Sequence, residues 1–222
     1  MTLQEAIVAR HSVRQYLAKP LEASIINRLN EEIALCNKEG KLHIQLVVNE
    51  PKAFEGGLAK YGKFSGVSNY LAMIGTKGAD EAIGYYGERL VLLAQTLGLN
   101  SCWVGLSFRK QPNQYKIDDG EKLHCVIALG YGANQGLQHL MRPMEQFVKV
   151  NGTMPEWFKL GMEAVLLAPT AVHQQKFEFE LKDDHTVCAR ARFTLVGYGK
   201  MDLGIVKYHF EVAAGCENFR WQ

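Results

Sequence analysis

The chain has few of the residues that commit a protein to covalent or metal-borne stability. Its five cysteines, Cys36, Cys102, Cys125, Cys188 and Cys216, are odd in number, scattered and never in a C-x-x-C pair. That pattern predicts reduced thiols and a cytoplasmic protein, not a disulfide framework. The seven histidines show no H-E-x-x-H, no pair at i, i+4 and no carboxylate at a fixed offset, so no metal site is expected. Charge of one sign is also missing. A net +2 is too small to point to nucleic acid or an acidic membrane surface. The most apolar run, "LVLLAQTLGL" at 90–99, is interrupted by Gln95 and is far too short to span a bilayer. The opening "MTLQEAIVAR" carries Glu5 within its apolar residues and no cleavage-like tail, which argues against a signal peptide.

What is present is ordinary for a globular protein: 222 residues, 47% hydrophobic and 22% charged. A chain of this length buries about 70% of its unfolded surface and forms one large domain or two packed halves. "TLQE" at 2–5 matches a capping box with Thr2 as N-cap and Glu5 at N3. Pro20 is placed to start a second helix carrying Ile25, Ile26, Leu29, Ile33 and Leu35 as its apolar stripe. "KLHIQLVVN", "NYLAMIG" and "LHCVIALGYG" read as strands, with "DEAIGYYGERLVLLAQTLGLN" as a long apolar helix. In the second half, "MPEWFKLGMEAVLLAP" and "DLGIVKYHFEVAAG" read as helices, "QKFEFELKD" and "CARARFTLVGYG" as strands. Two of these strands end in nearly the same phrase, "ALGYG" and "LVGYG", which suggests an internal duplication of one α+β unit. "LGYGANQG" mimics a dinucleotide fingerprint, but no helix opens directly on it and no acid-bearing strand follows at the usual distance.

The chemistry concentrates in "ARHSVRQY", 9–16, where Arg10, Ser12 and Arg14 alternate. In an extended stretch all three point to one side. Two guanidinium groups and a hydroxyl at that spacing suit a phosphate, which accepts forked bonds from arginine and one more from serine. Taken alone, the stretch better suits a solvated face on which Arg10 and Arg14 pair with nearby acids such as Glu5 or Glu22. A second stretch, "LAPTAVHQQKFEFEL" at 167–181, runs from a helix through Pro169 into a strand. Two further segments matter: "LGLNSCWVG" at 97–105 and "HLMRPMEQFV" at 139–148.

Together these four segments resemble the FMN-dependent nitroreductase family, with its R-x-S-x-R, A-P-S-x-x-N-x-Q-P-W, "LGLGSCWIG" and R-x-P-L-E-E motifs. His173 stands where the asparagine would be, and Lys176-Phe177 replaces the P-W pair. The first half has the arginine motif but lacks the proline loop, whereas the second half has the reverse. The chain therefore looks like the single-chain branch in which a fused pair mimics the family dimer. The resemblance implies an α+β, nitroreductase-like fold: an antiparallel-rich central sheet flanked by helices, in two pseudo-repeated halves. The first half, 1–150, would carry the phosphate motif and the second, 151–222, the P-T-A loop, packed as one unit.

The same resemblance implies roles. Arg10 and Ser12 would hold the FMN phosphate, with Arg142 as a second cation and His11 also binding the cofactor. Arg14 would face the pyrimidine edge of the flavin. Trp103, Val104 and Gly105 would offer backbone groups to the ring, and Pro169, Thr170, Ala171 and Gln175 would contact ribityl chain and ring from the far half. No side-chain acid or base is required, so no catalytic residue is named. NADH or NADPH would reduce the flavin, which would then reduce a nitroaromatic, quinone or similar small acceptor. The other reading is a flavin- or ligand-binding protein without turnover, a sensor or buffer. One site per chain makes a monomer competent without forbidding a dimer. Read as residues alone, Trp103 suits packing better than ring stacking, and His173 suits either binding or a turn. Glu88 reads as structural beside Arg89 or Lys60. Phe64, Tyr70, Tyr85 and Tyr86 suit the core better than a substrate pocket.

Overall fold

The computed structural model describes residues 1–182 and 185–222. The N-terminal capping box forms as expected: the Glu5 N–H donates to Thr2 Oγ1 at 3.2 Å, and the Thr2 N–H donates to Glu5 Oε2 at 2.8 Å. It opens α1 (Leu3–Ala9). α2 (Ala23–Gly40) begins after an extended Glu22, three residues later than Pro20 suggested.

Two four-stranded sheets follow among the described residues. The first contains β1 (Gln45–Val47), β2 (Asn69–Thr76), β3 (Asn100–Val104) and β4 (Glu121–Gly130). Its order is β1-β2-β4-β3 and every pair is antiparallel. Strand periodicity divides its central strands between two cores. Leu71, Met73, Ile127 and Leu129 face α2 and α3 (Asp80–Thr96). Tyr70, Ala72, Ile74, Val126 and Ala128 face Val13, Phe54 and Val67 on the other side. Both faces are covered, which explains why β2 and β4 read as nearly unbroken apolar runs.

The second sheet contains β5 (Val148–Val150), β6 (Phe177–Leu181), β7 (Thr186–Ala191) and β8 (Arg220–Trp221), in that order. β5 and β8 pair in parallel with β6 and β7, while β6 and β7 are antiparallel. The strand directions of the first sheet are thus not repeated, and the topology does not reproduce the duplication suggested by the shared phrase. "LVGYG" does not end a strand. β7 stops at Ala191 because its partner β6 begins at Phe177, opposite Ala191. Phe147, Phe158, Phe177, Phe179 and Phe210 build a separate aromatic core beneath this sheet with α4 (Glu156–Leu167) and α5 (Gly199–Ala214).

The helices packed on the two sheets meet where α3 crosses α5. A methyl group at Gly84 would collide with the Met201 carbonyl, and one at Gly204 with the Glu81 carbonyl. The two helices therefore approach to backbone contact, which only glycine permits here. α1 packs beside this seam through Ala6 and Ile7, against Leu92, Ala164 and Tyr208. Phe64 and Tyr70 pack with Phe54, and Tyr85 packs edge-on against Tyr86 and Tyr208, so these aromatics belong to cores. No helix among the described residues is long and apolar enough to cross a membrane.

Candidate functional site

Leaving α1, the chain turns extended at Arg10 (φ −73°, ψ 118°) and runs beside β3. The Val13 N–H donates to the Ser101 carbonyl at 3.0 Å, which fixes the segment's rotation. Val13 then enters the core, while Arg10, His11, Ser12 and Arg14 line a cavity of about 870 Å³. The end of β3 forms the next wall through Trp103, Val104 and Gly105. Gly105 lies against the Tyr198 ring, whose hydroxyl would sit 2.6 Å from a Cβ there. The opposite wall comes from the second half: Pro169, Thr170, Ala171, Val172 and His173 after α4, then Tyr198, Met201 and Asp202 at the start of α5. The cavity thus lies between the 10–14 segment and β3 on one side and the 169–175 loop and the start of α5 on the other, and neither side encloses it alone.

The loop after α4 departs from ordinary backbone geometry. Val172 (φ 46°), His173 (φ 55°) and Gln175 (φ 46°) are all left-handed without being glycine. For a β-branched valine this is a strained conformation that its surroundings must enforce. Asp202 supplies part of that enforcement. Its Oδ1 accepts the Ala171 N–H at 3.0 Å and its Oδ2 accepts the Gln174 side-chain N–H at 2.6 Å. The Gln174 amide also donates to the Gly197 carbonyl at 3.0 Å and accepts from the Thr194 hydroxyl.

Arginine and lysine dominate the charged lining, as Arg10, Arg14 and Lys63, against the single carboxyl of Asp202; His11, His139 and His173 also line the cavity. Arg10 is only 4% exposed. Burial lowers its pKa, opposed by the negative charge of Glu88, whose Oε1 is 3.8 Å from the guanidinium Nε. Burial also lowers His11, with Arg10 adding to the effect. His139 is likewise lowered by burial, opposed by the Leu166 carbonyl to which its Nε2 donates at 2.8 Å. Asp202 moves the other way. Burial raises it to about 6, against the stabilising N–H groups of Gln174 and Ala171. Arg14 is exposed and has no acidic partner among the described residues. Neither arginine pairs with Glu5 or Glu22, since Glu5 caps α1 and Glu22 meets Lys19.

Behind the cavity wall, Glu88 gathers four elements. It receives the Trp103 indole N–H at 2.8 Å, and the His209 ring bridges Glu88 Oε1 (2.9 Å) and the Ala164 carbonyl (3.0 Å). Arg89 instead pairs with Glu32 and Glu39 on α2.

A family model described as "Putative TM nitroreductase" matches residues 2–214. The chain belongs to this family. Among solved structures, one from Thermotoga maritima MSB8 described as a "putative nitroreductase" superposes with a TM-score of 0.69 at 21% identity, covering 96% of this chain and 83% of that one. A Parabacteroides distasonis structure described as an NADH dehydrogenase/NAD(P)H nitroreductase gives a TM-score of 0.52 at 18% identity, over 65% of this chain and 95% of its own. A Desulfovibrio desulfuricans structure described as a "putative nitroreductase in complex with FMN" gives 0.51 at 17% identity, over 65% and 93%. At these identities the likeness is one of fold. No curated protein matches the sequence.

For a TM nitroreductase family member, most of the residues singled out from sequence fall on one cavity, but two do not. Arg142 is exposed in the segment leading to β5 and lies outside the lining, because the chain passes the cavity at 134–139 and has left it by Arg142. Gln175 turns inward, 2% exposed, with neither side-chain amide atom partnered, and does not line the cavity either. His173 lies on the wall beside His139, their rings tilted by 43° with centres 4.3 Å apart. Lys63, His139, Tyr198 and Asp202 escaped the sequence reading: His139 opens the segment 139–148 but matches no position of its motif, and the other three lie outside the four motif segments. Outside the cavity, His43, Asp118 and Glu121 bring ligand-type atoms within 4.8 Å of one another. They pair among themselves and with Lys116: His43 Nδ1 meets Glu121 Oε2 at 2.8 Å, and Lys116 reaches Asp118 at 2.7 Å.

Proposed function

We propose that this protein is an FMN-dependent oxidoreductase that takes electrons from NADH or NADPH and passes them to a small apolar acceptor, a nitroaromatic or a quinone. The observation that carries the reading is the cavity itself, cationic on one side and built from both halves. Its volume lies within the range of cofactor sites. The donor set fits a flavin mononucleotide on grounds internal to this chain. Arg10 is buried, with Glu88 Oε1 3.8 Å from an Nε that has no hydrogen-bond partner and with Nη2 donating only to the Leu167 carbonyl at 3.5 Å, so the guanidinium retains donors that an anion in the cavity would satisfy.

In this reading Arg10 and Ser12 hold the phosphate, with His11 beside them, and Arg14 lies toward the ring. Trp103, Val104 and Gly105 present backbone groups, while Pro169, Thr170 and Ala171 close the far side. When bound, FMN supplies the ring that accepts and donates hydride, and the protein orients and polarises it. Glu88 keeps Arg10 charged despite its burial and fixes Trp103, so the wall behind the ligand is rigid before it arrives.

The mouth of the cavity points to the acceptor class. Leu106 (74% exposed), Leu137 (90%), Val172 (79%) and Val196 (49%) all line it, each from a different segment. Exposed aliphatic groups converging on an opening favour an apolar guest.

The test is direct. Protein purified without added flavin is denatured and the released cofactor identified and counted against protein. One FMN per chain is expected, together with NAD(P)H oxidation that depends on an added quinone or nitroaromatic. A protein that neither retains nor takes up FMN overturns the reading.

A further inference from the structure

We propose that Asp202 is a positioning residue: its carboxylate latches the 169–175 wall of the cavity into its ligand-binding shape. The inference rests on the FMN reading above for its ligand, but the latch itself is a feature of this chain's geometry.

Asp202 is the one carboxyl lining a cavity whose opposite side carries Arg10, Arg14 and Lys63, and it is 3% exposed. It sits in the first turn of α5, and both of its oxygens are committed to the loop, through the Ala171 N–H and the Gln174 side chain. Gln174 then ties the loop to the 192–198 segment through Thr194 and Gly197. One carboxylate thus joins three of the segments that form the second-half wall. The strain at Val172, His173 and Gln175 shows why a latch is needed. A left-handed valine does not hold its conformation unaided, and charge-assisted bonds are the strong ones. Burial alone gives no reason for an acid here, since Leu or Asn would be less costly to enclose.

The latch should weaken when the carboxylate is protonated, because a neutral acid no longer offers two full acceptors. Its raised pKa of about 6 puts that change within reach of ordinary buffers. Other groups titrate nearby. His11, His139, His173, Arg10, Arg14 and Lys63 line the same cavity, and the phosphate of FMN has its own second ionisation near 6. Histidine protonation strengthens anion binding as pH falls, opposite in sign to release of the latch. All of these groups are shared by wild type and an Asp202 variant, so they cancel in a ratio of affinities.

The experiment is a fluorescence titration of FMN into apoprotein, for wild type and Asp202→Asn, from pH 5 to pH 8. The variant is expected to bind about tenfold more weakly at pH 7.5, the lower end of what a charged hydrogen bond contributes. That ratio should fall toward one as pH drops through 6, because wild type then loses the same charge. A Gln174→Met variant, which leaves Asp202 in place, should show a smaller loss in the same direction. Amide hydrogen exchange across 169–175 in the apoprotein should be faster in Asp202→Asn than in wild type. Equal affinities at pH 7.5, or a ratio independent of pH, overturn the proposal. If wild type takes up no FMN at any pH, the functional reading fails, and the exchange measurement alone decides whether the latch exists.

Discussion

Glu88 Oε2 accepts the indole N–H of Trp103 at 2.8 Å, with both side chains placed where the two halves of the molecule meet. The same carboxylate lies between Arg10 and His209. A charge this deeply buried is tolerated only because each of its oxygens has a partner.

Glu88→Gln keeps the shape and removes the charge. Arg10 then remains buried without a counter-ion, and breaking a buried pair in this way costs about 3–5 kcal/mol. Urea denaturation should show a lower midpoint with an unchanged slope. A midpoint equal to wild type would mean that the Arg10–Glu88 attraction contributes nothing to the fold.

Arg10 itself is tested through the ligand. A charge-assisted bond to phosphate contributes about 1.5–3 kcal/mol, so Arg10→Ala should weaken FMN binding roughly 10- to 150-fold. Arg10→Lys keeps the charge but loses the forked donors, and should fall between wild type and alanine. Titration showing no loss in the alanine variant would leave Arg10 as a purely structural partner of Glu88.

Arg14 differs from Arg10 in being exposed and unpartnered, on the cavity wall further along the same extended segment. A positive charge beside the flavin ring favours the reduced, more negative form over the oxidised one. Solvent screens an exposed charge, so the difference is modest. Arg14→Gln should lower the midpoint potential by about 10–30 mV, where 30 mV corresponds to ~1.4 kcal/mol in a two-electron couple. Potentiometry with saturating FMN makes the measurement, with Arg10→Lys as the comparison expected to move it less. An unchanged potential would remove Arg14 from the ring.

Gly204→Ala places a methyl group against the Glu81 carbonyl. Overpacking of this kind costs about 1–3 kcal/mol, and backbone offers less room to yield than a side chain. Gly78→Ala, where the added methyl meets open space, is the control and should stay within about 0.5 kcal/mol of wild type. Thermal or denaturant unfolding of both variants distinguishes them.

What could be read from the sequence was local or periodic. The capping box at Thr2 and Glu5 lies within one turn. The alternation of Arg10, Ser12 and Arg14 reads directly as three side chains on one side of an extended segment, and all three reach the cavity. β2 and β4 announced themselves by apolar content. The illegible parts are pairings across long separations. Glu88 reads as an ordinary helix residue until the chain brings His209, 121 positions away, against it. Asp202 is an acid near a helix start, a common and uninformative placement, and its meaning comes from Ala171 and Gln174. Residues 192–198 have strand-like composition but no partner strand beyond Phe177, so composition alone misled.

The close crossing of α3 and α5 has a mechanical consequence. Where Gly84 and Gly204 meet the facing backbone, the joint has no rotamers that could be exchanged to let one helix ride over the other. It works like a dovetail: the halves hold one register or part altogether. Any widening of the space between them to admit a guest must then come from the connecting segments at its mouth, those bearing Leu137, Val172 and Val196, and not from a hinge along the seam.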